Sequence, residues 1–369
     1  MIESLAQGGA ERALLNLVPA LLERGVQPVV LPLKPGGDLQ AEFEAAGAEV
    51  VQLNFGHKWN LPKNTLALAR FIKTRRPDIV HAHLFFAELY VGLNKLFFWN
   101  LPTVISFHNL AYAPGCNPRN FSYYLRKLLA WFMVNYCMDR LVAVSSVVAS
   151  HYAQNLRVAP ERFSVIGNGV PDPGVEPLPA TAPAKDAQII VALGRLVPEK
   201  GYSYLLQAFA RLSAASEKPL ELQIIGDGPR RTELVHLAEE LGVQDSVHFL
   251  GNLAHQDAMQ TLALADLFVA ASVFEGFGLA VAEAILLEVP VVATDVGGMR
   301  DIVLPGYGEI VPPGNVDALV EGISRGLGLD ATERARRQAE AKRHVLENYS
   351  VDAVSAKLVD LYREELANG

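Results

Sequence analysis

The chain has 369 residues, half of them apolar, which is enough for two domains of ordinary size with a core in each. No run of 18 apolar residues is uninterrupted and no secretory leader is visible, so neither a membrane-spanning helix nor export is expected. The net charge of −8 is uneven: residues 1–170 carry 16 Lys and Arg against 11 Asp and Glu, and the remainder carries 16 against 29, which points the first half toward an anionic partner.

At the amino end, Ile2 to Leu5 reads as a stub of strand, Gly8 and Gly9 as a loop, and Glu11 to Arg24 as an amphipathic helix stopped by Gly25. A glycine loop leading into a helix can cradle phosphate, because the first turn has unpaired N–H groups and partial positive charge. A strand as short as Ile2–Leu5 is expected to lose backbone partners on both sides. Strands over Pro28–Leu33 and Glu49–Leu53 and helices over Leu39–Ala46 and Leu66–Arg75 follow. The segment PDIVHAHLF places His81 and His83 at the end of a strand, on one face. A metal site would need a third ligand, and none is evident nearby; a polar strand-end role or a packed structural role remain open. PTVISFHNL is a further strand with His108 at its carboxyl end, either functional or a hydrogen-bonded core histidine.

Residues 94–140 mix aromatics with Lys95, Arg119, Arg126, Lys127 and Arg140, and Tyr123 to Met138 has helical spacing with a wide apolar face. Such a helix is either core or an interfacial helix meeting anionic lipid. The basic residues are scattered and no nucleic-acid recognition motif is present, so no nucleic-acid partner is expected. Cys116 and Cys137 lack metal spacing and are too few for a disulfide framework, which fits reduced thiols in a cytoplasmic protein. The strand and capped helix of LVAVSSVVASHY, then FSVIGNGV, close a first domain over 1–170.

Residues 171–187, rich in Pro and Ala without periodicity, read as a linker to a second domain over 188–348. Strand Ile189–Leu193 leads into Gly194, Arg195, Lys200 and Gly201, two cations on a loop before a helix. The later GDGP lacks the third glycine of a dinucleotide fingerprint. A strand over Val247–Leu250 follows, then a strand–loop–helix–strand unit: Leu267–Ala271, Ser272–Gly278, Leu279–Leu287 and Pro290–Thr294. Ligands bind at the carboxyl ends of such strands, and Glu275 and Glu283 stand there as acceptors for sugar hydroxyls. Asp295 to Asp301, a last strand and helix in GEIVPPGNVDALVEGI, a basic helix over 333–346 and an amphipathic tail over 349–369 complete the chain.

Three motifs, GGAER, GR-x4-KG and FEGFGL-x3-E, resemble those of retaining glycosyltransferases of family 4, and the resemblance spans nearly the whole chain. It implies the GT-B architecture: two facing Rossmann-like doubly wound α/β domains, a cleft between them, and a tail helix crossing back to the first. It further implies that Glu275 faces the donor sugar and Glu283 the ribose. Arg195 and Lys200 neutralise the leaving diphosphate, the Gly8–Gly9 loop closes over it, and His108 contacts the donor sugar near its anomeric carbon. Gly276, Phe277, Gly278 and Leu279 complete the donor-binding set. This chain has Arg300-Asp301 where the family commonly has Pro-Glu, keeping the acid in shorter form and adding a cation.

The expected function is a retaining, metal-independent hexosyltransferase acting in surface polysaccharide, lipopolysaccharide or glycolipid synthesis. It moves sugar from a nucleoside diphosphate sugar to a saccharide or lipid-linked acceptor, needs no cofactor, and works in the cytoplasm or peripherally at the inner membrane face. A sugar-nucleotide epimerase or hydrolase on the same scaffold and a non-catalytic nucleotide-sugar-binding protein are the alternatives.

Overall fold

The computed structural model describes residues 1–6, 8–53, 55, 57, 59–113, 119–175 and 187–368. Cys116 and most of the expected linker, residues 176–186, lie outside this set. Two compact units form, residues 1–170 with 349–369, and residues 171–348.

The first unit runs α1 (Gly9–Glu23), β1 (Val29–Val30), α2 (Gln40–Ala45), β2 (Glu49–Val50), α3 (Leu61–Arg75), β3 (Val80–His83), α4 (Phe85–Phe97), β4 (Thr103–Phe107), α5 (Phe121–Tyr136), β5 (Arg140–Ala143), α6 (Ser146–Leu156) and β6 (Phe163–Val165). Strands β3, β4, β5 and β6 form a parallel sheet in that order, and β1 pairs in parallel with β2. Every residue of β4 is buried, as expected of a parallel strand covered on both faces.

The first strand is shorter than expected, a single bridge between Ile2 and Pro32. It nevertheless keeps partners on both sides, contrary to expectation. Ile2 N–H donates to Leu31 and Leu33 N–H to Ile2, while the Met1 nitrogen donates to His81 O (2.7 Å) and His83 N–H to Met1 O (2.9 Å). The segment thus joins residues 31–33, just past β1, to β3. The strands expected over Pro28–Leu33 and Glu49–Leu53 shrink to two residues each.

Helix α4, which has no local start signal, follows Leu84 at φ 71° with no cap of its own. Its Phe86 N–H is capped by Glu3 Oε1 at 3.1 Å, from 83 positions earlier. The cap is long-range, so the sequence around α4 does not announce the helix.

The second unit runs β7 (Gln188–Leu193), α7 (Tyr202–Ala215), β8 (Leu220–Ile225), α8 (Arg231–Glu240), β9 (Val247–Gly251), α9 (His255–Ala263), β10 (Leu267–Ala270), α10 (Leu279–Leu286), β11 (Val291–Thr294), α11 (Met299–Ile302), β12 (Glu309–Val311), α12 (Val316–Leu327) and α13 (Ala331–Tyr349). Its six strands are ordered β12-β11-β10-β7-β8-β9, all parallel. This is the doubly wound order, whose direction of winding reverses between β7 and β10. Apolar side chains of β7, β8, β10 and β11 pack with Leu205, Phe209, Leu319 and Ile323 of α7 and α12 in one core.

The last helix, α14 (Val351–Asn368), belongs to the first unit. Val354 and Leu358 pack with Leu17 and Leu21 of α1. Arg24 donates to Asp352 (2.6 Å) and Arg140 to Glu365 (2.8 Å).

Candidate functional site

The loops after β7 and β10 meet at the carboxyl ends of these two strands, where the winding of the second sheet reverses. Such a point leaves a crevice, because helices leave it in opposite directions. Val273 N–H donates to Glu199 O at 2.8 Å and ties the two loops together. Gly201 has φ +66°, and a Cβ there would collide with the Ala271 carbonyl oxygen. Gly297, φ +55°, holds the loop after β11 equally close to the Glu275 carbonyl. Only glycine lets these backbones approach so closely.

This packing brings Lys200 and Glu275 together. Lys200 Nζ donates to Glu275 Oε2 at 2.6 Å, and Glu275 Oε1 accepts from Gly276 N–H at 3.2 Å. Both side chains are largely covered, at 29% and 19% exposure. Tyr202 below them donates to Gly194 O at 2.9 Å; burial, with Glu275 nearby, pushes its phenol well above its ordinary range. Arg195 stands exposed on the same loop, and its side chain makes no hydrogen bond or ion pair with the described residues. Gly278, at φ +113°, precedes α10 and supplies no side-chain cap to its first turn. Phe277 is buried and Glu283 half-buried on α10. The added cation Arg300 is paired within its own loop: its Nε and Nη2 donate to Asp295, which holds that carboxyl below its usual range.

The other expected residues lie in the first unit. Gly8 and Gly9 start α1, and the carboxylate of buried Glu11 folds back over Gly8. This helix start therefore already carries an acid of its own. His108 follows β4. Its Nε2 lies 2.9 Å from His83 Nδ1, and its own Nδ1 is buried without a partner. Burial pushes the His108 imidazole down to about 4. His81 and His83 are likewise pushed well down, by burial first, and stack with centroids 4.2 Å apart. His81 spends both nitrogens on Tyr362 (2.6 Å) and Ser106 (2.8 Å). Of the open readings, His81 is thus a packed structural histidine. Among the described residues no group of three or more His, Cys, Asp or Glu is placed to hold a metal ion.

A cavity of about 490 Å³ opens beside His108, lined also by Glu3, Glu88, Tyr112, Tyr123 and Arg126. The sequence reading missed Glu88. It is buried in the first turns of α4, where burial and the charge of Glu3 push its carboxyl up to about 8. The one available signal was an acid inside an otherwise apolar helix.

Helix α5 is not simply core: Phe121, Tyr124, Leu128 and Tyr136 are exposed, as are Leu96, Phe97 and Phe98 at the end of α4. Of the nearby cations Arg119 is exposed just before α5, while the other four are engaged by neighbouring groups. Arg126 lies over the rings of Phe85 and Phe86, Lys127 donates to Asn155 (2.8 Å), Lys95 pairs with Asp139, and Arg140 pairs with Glu364 and Glu365. No helix among the described residues is long and apolar enough to cross a membrane.

Two doubly wound parallel α/β units, one with a lysine–carboxylate pair at its winding reversal, define a GT-B scaffold. Residues 178–345 match the model of glycosyl transferases group 1, and residues 7–172 match that of Glycosyltransferase Family 4. The chain belongs to this glycosyltransferase family. It is 32% identical over 233 residues to MMP alpha-(1->4)-mannosyltransferase of Mycolicibacterium hassiacum, covering 62% of this chain and 55% of that protein. It is 29% identical over 249 residues to the GPI3 component of phosphatidylinositol N-acetylglucosaminyltransferase from Saccharomyces cerevisiae, covering 65% and 53%. The chain thus spans about half the length of these curated relatives. Among solved structures, Anabaena Alr3699/HepE in complex with UDP superposes with a TM-score of 0.83 at 21% identity, over 98% of both chains. A glycosyltransferase from Rickettsia africae ESF-5 superposes with 0.80 at 23%, over 100% of this chain and 98% of that one. These likenesses establish the fold.

Proposed function

We propose that the chain is a retaining glycosyltransferase that moves a hexose from a nucleoside diphosphate sugar to a saccharide or lipid-linked saccharide. The observation that carries this reading is the Lys200–Glu275 pair at the winding reversal, with Arg195 exposed on the same loop. A diphosphate entering there meets Lys200, Arg195 and the amino end of α10. Lys200 leaves Glu275 for the phosphates, and the freed carboxylate turns to the donor's hydroxyls. Fixed positive charge aimed at a leaving group is commonly the largest catalytic contribution. In this reading it comes from the protein's own groups without a metal ion. Glu275 acts as a binding and electrostatic group, and attack occurs on the face that the diphosphate leaves, with its oxygen as base.

The relatives are named for transfer of mannose and N-acetylglucosamine, and the Anabaena neighbour holds UDP, which supports a nucleotide-linked hexose as donor. Contact with a membrane, if the acceptor is lipid-linked, rests on the exposed aromatics of α4 and α5, with Arg119 exposed beside them.

The test is release of free nucleotide from UDP-, GDP- and ADP-sugars, with and without a lipid-linked saccharide extract. Release from one donor only when acceptor is present supports transfer. Release or isomerisation without acceptor supports a hydrolase or epimerase, and tight binding with no turnover supports a non-catalytic binder. The anomeric configuration of the product, read by proton NMR, decides retention.

A further inference from the structure

The cavity of about 490 Å³ in the first unit falls within the size range of small-molecule sites. It carries polar groups beyond those of the Lys200–Glu275 pair. Glu88 is 6% exposed on its wall. His108 Nδ1 and Arg126 Nε are buried beside it without partners. A buried polar atom without a partner costs free energy that a suitably shaped ligand recovers. Tyr112 and Tyr123 form an edge-to-face pair, with centroids 6.0 Å apart, on the same wall. Aromatic faces with a few convergent hydrogen-bonding groups suit a polyhydroxyl ring.

The charges decide what kind of ring. Facing Glu88 are Glu3 from the first segment, His108 and Tyr112 from the chain after β4, and Tyr123 and Arg126 from α5. Glu3 already accepts from Phe86 N–H, and Arg126 lies over two phenylalanine rings. One acid and one base offset each other, and His108 is uncharged at neutral pH. Burial, and after it the charge of Glu3, pushes the Glu88 carboxyl up to about 8, so Glu88 holds its proton at neutral pH. The wall is therefore close to neutral.

We propose that Glu88 donates a hydrogen bond to an uncharged, pyranose-sized saccharide in this cavity, and that His108 Nδ1 and Arg126 Nε bond further oxygens of the same ring. The inference rests on the glycosyltransferase reading, in which this ring is the acceptor, and it assigns Glu88 the selection of that acceptor. An acidic sugar is disfavoured beside Glu3. An ammonium-bearing sugar would draw the proton off Glu88 and call for its ionised form instead.

The test is direct binding, by saturation-transfer NMR and titration, of methyl glycosides of glucose, galactose, mannose and N-acetylglucosamine and of maltose and lactose. Wild type, Glu88→Gln and Glu88→Leu are compared from pH 6 to 9.5, with UDP binding as the control for folding of the chain. One or more of these sugars should bind wild type and Glu88→Gln alike at pH 7 and bind Glu88→Leu about tenfold more weakly. Wild-type affinity should fall as pH rises through about 8 while that of Glu88→Gln stays flat. Unchanged binding in Glu88→Leu, an equal loss in Glu88→Gln, tighter wild-type binding above pH 8, or no binding of any neutral sugar overturns the proposal. Nucleotide release reports separately on the glycosyltransferase reading: saccharide binding as described without acceptor-dependent release leaves the Glu88 site standing and removes the reaction.

Discussion

Lys200 Nζ donates to Glu275 Oε2 at 2.6 Å across two loops that leave neighbouring strands, so the main cation of the candidate donor site is paired with a carboxylate of the same site. Donor phosphates must replace a carboxylate as its partner. Both side chains keep some water contact, and pairs of this kind contribute only about 0–1 kcal/mol to stability.

Binding of free UDP or GDP, measured by titration calorimetry, should therefore respond oppositely to the two partners. Lys200→Ala should weaken binding by about tenfold or more. Glu275→Gln, which releases the lysine, should leave binding unchanged or tighten it. Melting temperatures of both variants should stay close to wild type.

The close backbone approaches give a second prediction. Gly25 is at φ +80° but a Cβ there meets nothing within 4 Å, whereas a Cβ at Gly297 collides with the Glu275 carbonyl. Gly25→Ala should cost about 1 kcal/mol from backbone strain alone. Gly297→Ala should cost more and also weaken nucleotide binding, because the Glu275 loop must shift. Denaturant unfolding and the same calorimetry check both.

The three histidines predict acid sensitivity. His81, His83 and His108 are held neutral, their folded values pushed below the ordinary 6.5, with that of His108 at about 4. Between those values the unfolded chain binds more protons than the folded one, so stability is full above about pH 6.5 and is lost as pH falls toward 4. Unfolding midpoints should fall across that window, and His108→Asn should flatten part of the slope.

Glu88 predicts the opposite dependence at alkaline pH. Its folded value of about 8 lies above the ordinary 4.5, so the folded chain holds the extra proton between them and stability declines as pH rises from 4.5 to 8. Glu88→Gln should match wild type near pH 4.5 and exceed it at pH 9 by ~3–5 kcal/mol, at about 1.4 kcal/mol per pH unit of displacement. Chemical unfolding at the two pH values measures the difference.

The second unit was the more legible in sequence. Its strands are short apolar runs between glycine-bearing loops, and Arg195, Lys200 and Glu275 sit on those loops at fixed offsets from strand ends. The pairing of Lys200 with Glu275 was not legible, since it depends on Gly201 and Gly297 closing backbones that are far apart in sequence. In the first unit, Ile2–Leu5 looked too short to be held, but its partners come from β3 and from residues 31–33, which no local pattern shows. Helix α4 was missed because Glu3 caps it from a distance. Glu88 went unnoticed for the same reason, as its environment is assembled by α4, α5 and the first segment together. The cations Lys95 of α4, Lys127 of α5 and Arg140 of β5 were legible as residues but not as orientations, because their partners Asp139, Asn155 and Glu365 lie outside those elements.

The most direct measurement is acceptor-dependent nucleotide release by wild type, Lys200→Ala and Glu275→Ala side by side, with UDP-, GDP- and ADP-sugars as donors. The account predicts release by wild type from one donor when acceptor is added, and a loss of ~100-fold or more in both folded variants. Full activity in either variant, or release by wild type that ignores the acceptor, would contradict it.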